Sequence, residues 1–169
     1  NRLFEKWNEI CKRSLSSLNI KTFKRNIYEM VQEFDNLPII KKVKPRVGIV
    51  GEILVKYHPT ANNQVVKILE KEGAEAVVPN LIDFLNYSLF GMQYKYRYLA
   101  GPKLDQVLAR AATSVLELYR KPLKNALAQS KRFTPPRTIY ELAQKAKKVL
   151  ALGHQAGEGW FLTGEMVDL

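Results

Sequence analysis

Two histidines, His58 and His154, are the side chains in this chain best suited to moving a proton near neutral pH. His58 stands in Lys56-Tyr57-His58-Pro59, inside a loop, 51–62, that also carries Gly51, Glu52 and Asn62. His154 opens a glycine-rich run that continues through Gly157, Glu158 and Gly159 to Trp160. There His154 and Glu158 are spaced to form an acid–base pair. Each histidine also has a simpler use: His58 can pin its loop by a hydrogen bond, and His154 can cap a helix against its negative dipole end. Gly153, Gly157 and Gly159 allow positive φ and close backbone approach to a ligand. No Gly-Lys-Ser/Thr follows and no strand precedes, so the run is not a nucleoside-triphosphate loop. With two histidines and one cysteine, Cys11, the chain offers no complete metal site. Nor do its spacings assemble a serine or cysteine nucleophile with a base. Cys11 lies beside an apolar stripe and is expected to be a small buried side chain.

The elements that would position these residues read as α/β. Val47, Ile49 and Val50 follow Pro45 as a short apolar strand, expected to be buried on both faces. Asn62 and Asn63 fall where an N-cap belongs, Val65, Val66 and Leu69 repeat at helical spacing, and Gly73 supplies the stop. Ala76, Val77 and Val78 form a second strand closed by Pro79. Strands near 46–51 and 74–79 joined through one helix must run parallel with a right-handed crossover. The expected fold is thus an incomplete Rossmann-like parallel sheet with flanking helices, and ligands of such sheets bind beyond the carboxyl ends of the strands, at residues 51–62.

Around this unit the chain is helical. Leu3, Trp7, Ile10, Leu15 and Leu18, then Phe23, Ile27, Met30, Val31 and Phe34, stripe two helices of an N-terminal α-hairpin spanning 1–44. The α/β region with long basic helices spans 45–169. Asn80 and Asp83 mark a helix start running through Phe90. Gly91–Tyr98 alternates aromatic and basic residues, either as an extended ligand-facing loop whose rings stack on a base or as an amphipathic cover over the core. In the next helix Leu104, Leu108, Ala111, Val115 and Leu118 are predicted to face inward, and Pro122 is predicted to kink it or start a new one. Thr138 and Glu141 form a capping box ahead of a stripe of Ile139, Leu142, Ala146, Val149 and Leu150, with Gly153 as the stop.

The chain has 169 residues and a net charge of +11. The excess is concentrated in residues 91–150, which hold 13 Lys and Arg against 3 Asp and Glu. Such helices attract a phosphate-rich partner, or they are simply a solvated basic surface. No common nucleic-acid module accompanies the charge. No apolar run is long enough for a membrane, and lone Cys11 fits a reducing cytoplasm. Two strands are too few for a stable sheet, so the chain reads as a piece truncated from a longer protein.

The stretch VGIVGEILVKYHPTANNQVVKILEKEGAEAVVPNLIDFLNYSLF, followed by GHQAGEGWFLTGEM, resembles the dehydratase-component region of proteins related to 2-hydroxyglutaryl-CoA dehydratase and the CoA-substrate-specific enzyme activases. The resemblance implies anaerobic metabolism. There, an ATP-dependent activator domain or subunit reduces an iron–sulfur cluster that removes water from a 2-hydroxyacyl-CoA. It implies that Gly51, Glu52, His58, Pro59 and Asn62 line one side of a substrate- or cluster-facing site, with Gly157, Glu158, Gly159 and Trp160 as a wall nearby. Clusters need thiolates, and the predicted crevice has none. The iron–sulfur cluster is therefore expected in the rest of the parent chain, with no metal and no cofactor held by these residues. The alternative is a non-catalytic binding or docking module whose basic helices hold coenzyme A, a partner subunit or nucleic acid.

Overall fold

The computed structural model describes residues 2–16, 19–39, 42–152 and 158–169. Their fold is mostly helical, with a small two-stranded parallel sheet: α1 (Arg2–Leu15), α2 (Ile20–Asp35), β1 (Arg46–Gly48), α3 (Ile53–Tyr57), α4 (Val65–Lys71), β2 (Glu75–Val77), α5 (Leu81–Tyr98), α6 (Lys103–Ala128), α7 (Ile139–Ala146) and α8 (Gly159–Asp168). The chain divides into two compact units, residues 1–40 with 115–136 and residues 41–114 with 137–169.

In the first unit α1 and α2 pack as the hairpin that their stripes predict. Trp7 is buried and its indole N–H donates to Glu33 at 3.0 Å, while Lys6 bridges the same carboxylate at 2.5 Å. Asn19 caps α2 by accepting from the Lys21 and Thr22 amides. At the other end of α2, Arg132 donates to the carbonyls of Phe34 and Leu37, satisfying acceptors that a helix terminus leaves open. Ile27 and Val31 pack with Ala126, Leu123 and Leu127. Cys11 is exposed, contrary to expectation: it lies beside the stripe but outside the arc that α2 covers. Leu15 is exposed too, and Leu18 lies outside the described residues.

In the second unit β1 and β2 pair in parallel, Val47 opposite Ala76, with the ladder continued by Ile49 N–H to Val77 O at 2.8 Å and Glu75 N–H to Pro45 O at 2.9 Å. Both strands are shorter than the sequence predicts. β1 is also exposed along its length, because one partner strand leaves its other edge and faces uncovered. Two helices, not one, cross between the strands. α3 starts directly after Gly51, and α4 follows Asn63 and Gln64, both in the left-handed region, so Gln64 rather than an asparagine occupies the N-cap position. Gly73 does end α4. With φ +89° it closes a Schellman turn, its N–H bonding Glu70 O and the Ala74 N–H bonding Leu69 O.

Three further expectations are corrected. Gly91–Tyr98 is not an extended loop but the second half of α5, since no proline interrupts a helix that glycine merely weakens. Pro122 does not start a new helix but lies inside α6. Leu104, Leu108, Ala111, Val115 and Leu118 are all exposed, while Ala109, Thr113, Arg120 and Ala126 are buried. The Thr113 hydroxyl accepts from Gln93 of α5 at 3.5 Å. The capping box of Thr138 and Glu141 forms as predicted, but α7 stops at Ala146 and Val149 is exposed. Gly153 lies outside the described residues.

The core of this unit is built by Ile139, Leu142, Ala143 and Ala146 of α7 against Trp160 and Phe161 of α8, with Phe84, Tyr87 and Phe90 of α5 packed on them. The closest approach is at Gly164, where an added Cβ would lie 2.8 Å from the Leu142 carbonyl oxygen and 3.3 Å from its carbon. Backbone cannot swing aside as a side chain does. Gly164→Ala gains about 1 kcal/mol of helix propensity. The overpacking cost of about 1–3 kcal/mol exceeds that gain in a contact made by main chain. The expected outcome is a lowered urea midpoint with an unchanged denaturant slope; a raised midpoint would show that α7 and α8 separate freely.

Candidate functional site

The polar side chains of Glu52, His58 and Asn62 bond within the 51–65 segment itself. Gly51 leads into α3 with open space around its Cα. Glu52 is the N-cap of α3 and accepts from the Val55 N–H at 3.1 Å. His58 ends the same helix: its N–H donates to Leu54 O at 2.9 Å, and its Nδ1 accepts from the Ala61 N–H at 3.3 Å. The Pro59 carbonyl accepts from Gln64 at 2.7 Å. The Asn62 amide donates to Lys56 O at 3.1 Å and accepts from the Val65 N–H at 3.4 Å. His58 therefore pins its loop, and its imidazole stays exposed.

At the glycine-rich run, Gly157 and His154 lie outside the described residues. Glu158 is the half-buried N-cap residue of α8, without a side-chain cap bond, and Gly159 is the first residue of that helix. Trp160 is buried, its ring centroid 5.4 Å from Tyr87 and 5.1 Å from Phe90. Gly159 and Trp160 thus belong to a helix, and the Trp160 ring to the core.

A buried ionic cluster escaped the sequence. Lys56 Nζ donates to both carboxylate oxygens of Glu165, at 3.1 and 3.0 Å, with each side chain only 2% exposed. Burial pushes the Glu165 carboxyl above its ordinary range; the Lys56 ammonium opposes this, and Asp83 and Glu158 add to it. The Tyr57 hydroxyl donates to Pro79 O at 2.5 Å, and burial beside Glu165 and Asp83 raises its pKa to about 12. Asn86, one turn beyond Asp83 on α5, is fully buried with no hydrogen-bond partner for its amide among the described residues. The Lys56 ammonium lies 5.7 Å from the Phe161 ring. An ion pair so enclosed cannot touch a ligand; it ties α3 to α8. No local pattern announces it, since its partners are 109 residues apart.

A cavity of about 360 Å³ open to a ligand lies between α5, α6 and α7. Each helix contributes a stripe at helical spacing. From α5 come Phe90, Tyr94 and Tyr98, each one turn beyond the last, with Arg97 beside them. α6 adds Gln106 and Arg110, and α7 adds Tyr140, Gln144 and Lys147. The three charged side chains of the lining are all cations, and none has an acidic partner among the described residues. The aromatic-basic alternation of 91–98 pointed toward this cavity. The alternation has a period of two, which conceals the helical register that gathers its rings on one face.

Among the described residues no group of three His, Cys, Asp or Glu could hold a metal ion, and no helix is long and apolar enough to cross a membrane. No protein-family model, no curated protein and no solved structure matches this chain.

Proposed function

We propose that this chain is a non-catalytic binding module that holds a phosphate-bearing ligand in the cavity between α5, α6 and α7. The observation that carries this reading is the convergence of Arg97, Arg110 and Lys147 on one cavity whose lining has no acid. An anion there gains from all three charges at once, and guanidinium groups bind phosphate oxygens in pairs. The phosphates of coenzyme A meet this description, as do those of other nucleotides or of nucleic acid.

A second observation, the parallel β1–β2 pair joined by a helical crossover, favours a place for the module in an α/β enzyme of the dehydratase and activase type. In that setting the pair belongs to a larger Rossmann-like sheet of the parent chain. The iron–sulfur cluster and the ATP-dependent activator act from other parts of that protein. Anaerobic full-length protein is then expected to show cluster absorption and ATP-dependent reduction, and the absence of both would count against this setting.

Calorimetric titration with pyrophosphate tests the binding reading. Affinity is expected to fall steeply with added salt, as it does when several cations meet one polyanion. Arg110→Ala is expected to weaken it about tenfold, the loss of one charge-assisted contact. Flat titrations at low salt, or an Arg110→Ala variant that binds like the parent, would overturn it.

A further inference from the structure

We infer that the cavity takes a mononucleotide, an aromatic base joined to phosphate, rather than a bare anion; this rests on the phosphate-binding reading above. A site for phosphate alone needs donors, not rings. Here the cations border an aromatic surface: Tyr94 and Tyr98 lie with centroids 4.6 Å apart, and Phe90 meets Tyr140 edge-on at 5.8 Å. Tyr140 is held in place, its hydroxyl donating to Gln93 Oε1 at 3.0 Å while the Gln93 amide reaches Thr113. Tyr98 is 57% exposed, so a ligand in the cavity can reach it from solvent. The Arg97 guanidinium lies over the Tyr98 ring, 5.5 Å from its centroid, so the cavity presents a cation and an aromatic ring side by side.

Two amides complete the chemistry. Gln106 and Gln144 line the cavity from opposite helices, and neither side chain has a hydrogen-bond partner among the described residues. An amide carries both a donor and an acceptor, which is what the polar edge of a base requires. The volume, about 360 Å³, is at the lower end for small-molecule sites and suits one nucleotide better than a strand. Stacking tolerates any base, so the base identity is left to the glutamines.

The test is calorimetry on the whole chain at low salt with the four common nucleoside diphosphates and, separately, pyrophosphate. At least one diphosphate is expected to bind about tenfold more tightly than pyrophosphate, the contribution of one stacked base. Tyr98→Ala is expected to abolish that advantage, read as the ratio of the diphosphate and pyrophosphate affinities within the one variant, and Tyr98→Phe to retain it. Arg110→Ala should weaken both ligands alike. Pyrophosphate binding as tight as every nucleotide, or a Tyr98→Ala variant with an intact nucleotide preference, would overturn the inference and leave the anion site standing. Failure of every ligand to bind would remove both.

Discussion

Replacing Lys56 by methionine is expected to destabilise the fold by about 3–5 kcal/mol at neutral pH, the loss typical of a buried charge stripped of its partner. Methionine fills the space of the lysine stem, so the effect reports the ammonium rather than a cavity. What remains is the Glu165 carboxylate, 2% exposed, with Asp83 close enough to repel it. The pH dependence follows from the direction of the Glu165 shift. Its folded pKa lies above the ordinary 4.5, so the folded form holds this proton more tightly than the unfolded chain does. The contribution of Glu165 is then most favourable below about pH 4.5 and is lost as pH rises from there through the folded value. Removing Lys56 removes the group that opposes the shift, which extends this loss to higher pH. Urea titrations should show Lys56→Met and parent close together near pH 4.5 and diverging toward neutrality. The double variant Lys56→Met/Glu165→Met should recover more than half of the loss, because a well-packed apolar pair replaces a buried ion pair at little cost. A gap that does not vary with pH would mean that the ion pair is not what Lys56 contributes.

The features legible in the sequence are those written in adjacent residues. Gly73 after Leu69 and Glu70 marks a helix stop wherever it occurs, and Thr138 with Glu141 marks a helix start, because both devices are closed by neighbouring backbone groups. The parallel pairing of 46–48 with 75–77 follows from the helical segment between them, whichever residues cap it. What failed was the choice between faces. The leucines of α6 are the obvious core stripe by hydrophobicity, yet the buried line holds Ala109 and Thr113, because a helix buries the face its tertiary partners cover and hydrophobicity alone does not name that face. The same limit hid Lys56 and Glu165. Each is a charged residue at a position that tertiary contact alone makes interior, and no one-dimensional pattern records a partner 109 residues away. The cavity was half visible: 91–98 announced aromatic and basic chemistry, but Gln106, Arg110, Gln144 and Lys147 join it only once α5, α6 and α7 are packed.

Phe161→Ala is expected to lose about 3–5 kcal/mol, the range for emptying a buried aromatic site. The ring is the largest fully buried side chain among the described residues, stacked on Tyr87 at 5.4 Å and edge-on to Phe84 at 6.5 Å. It also carries on its face the ammonium of Lys56, so truncation loosens the ionic cluster together with the core. Phe161→Leu keeps much of the volume and is expected to cost less than half as much, by the rule that swaps preserving volume are tolerated best. In a Trp7→Phe background the remaining indole, Trp160, reports the same event: its emission should shift to the red in Phe161→Ala as water reaches the space beside it. These variants decide what the Gly159–Met166 segment is for. As core, it should lose stability on truncation and leave ligand affinity, measured well below the melting temperature, close to that of the parent. As the wall of a binding site it would do the reverse, and a stable Phe161→Ala variant with weakened binding would move the site from the α5–α6–α7 cavity to α8.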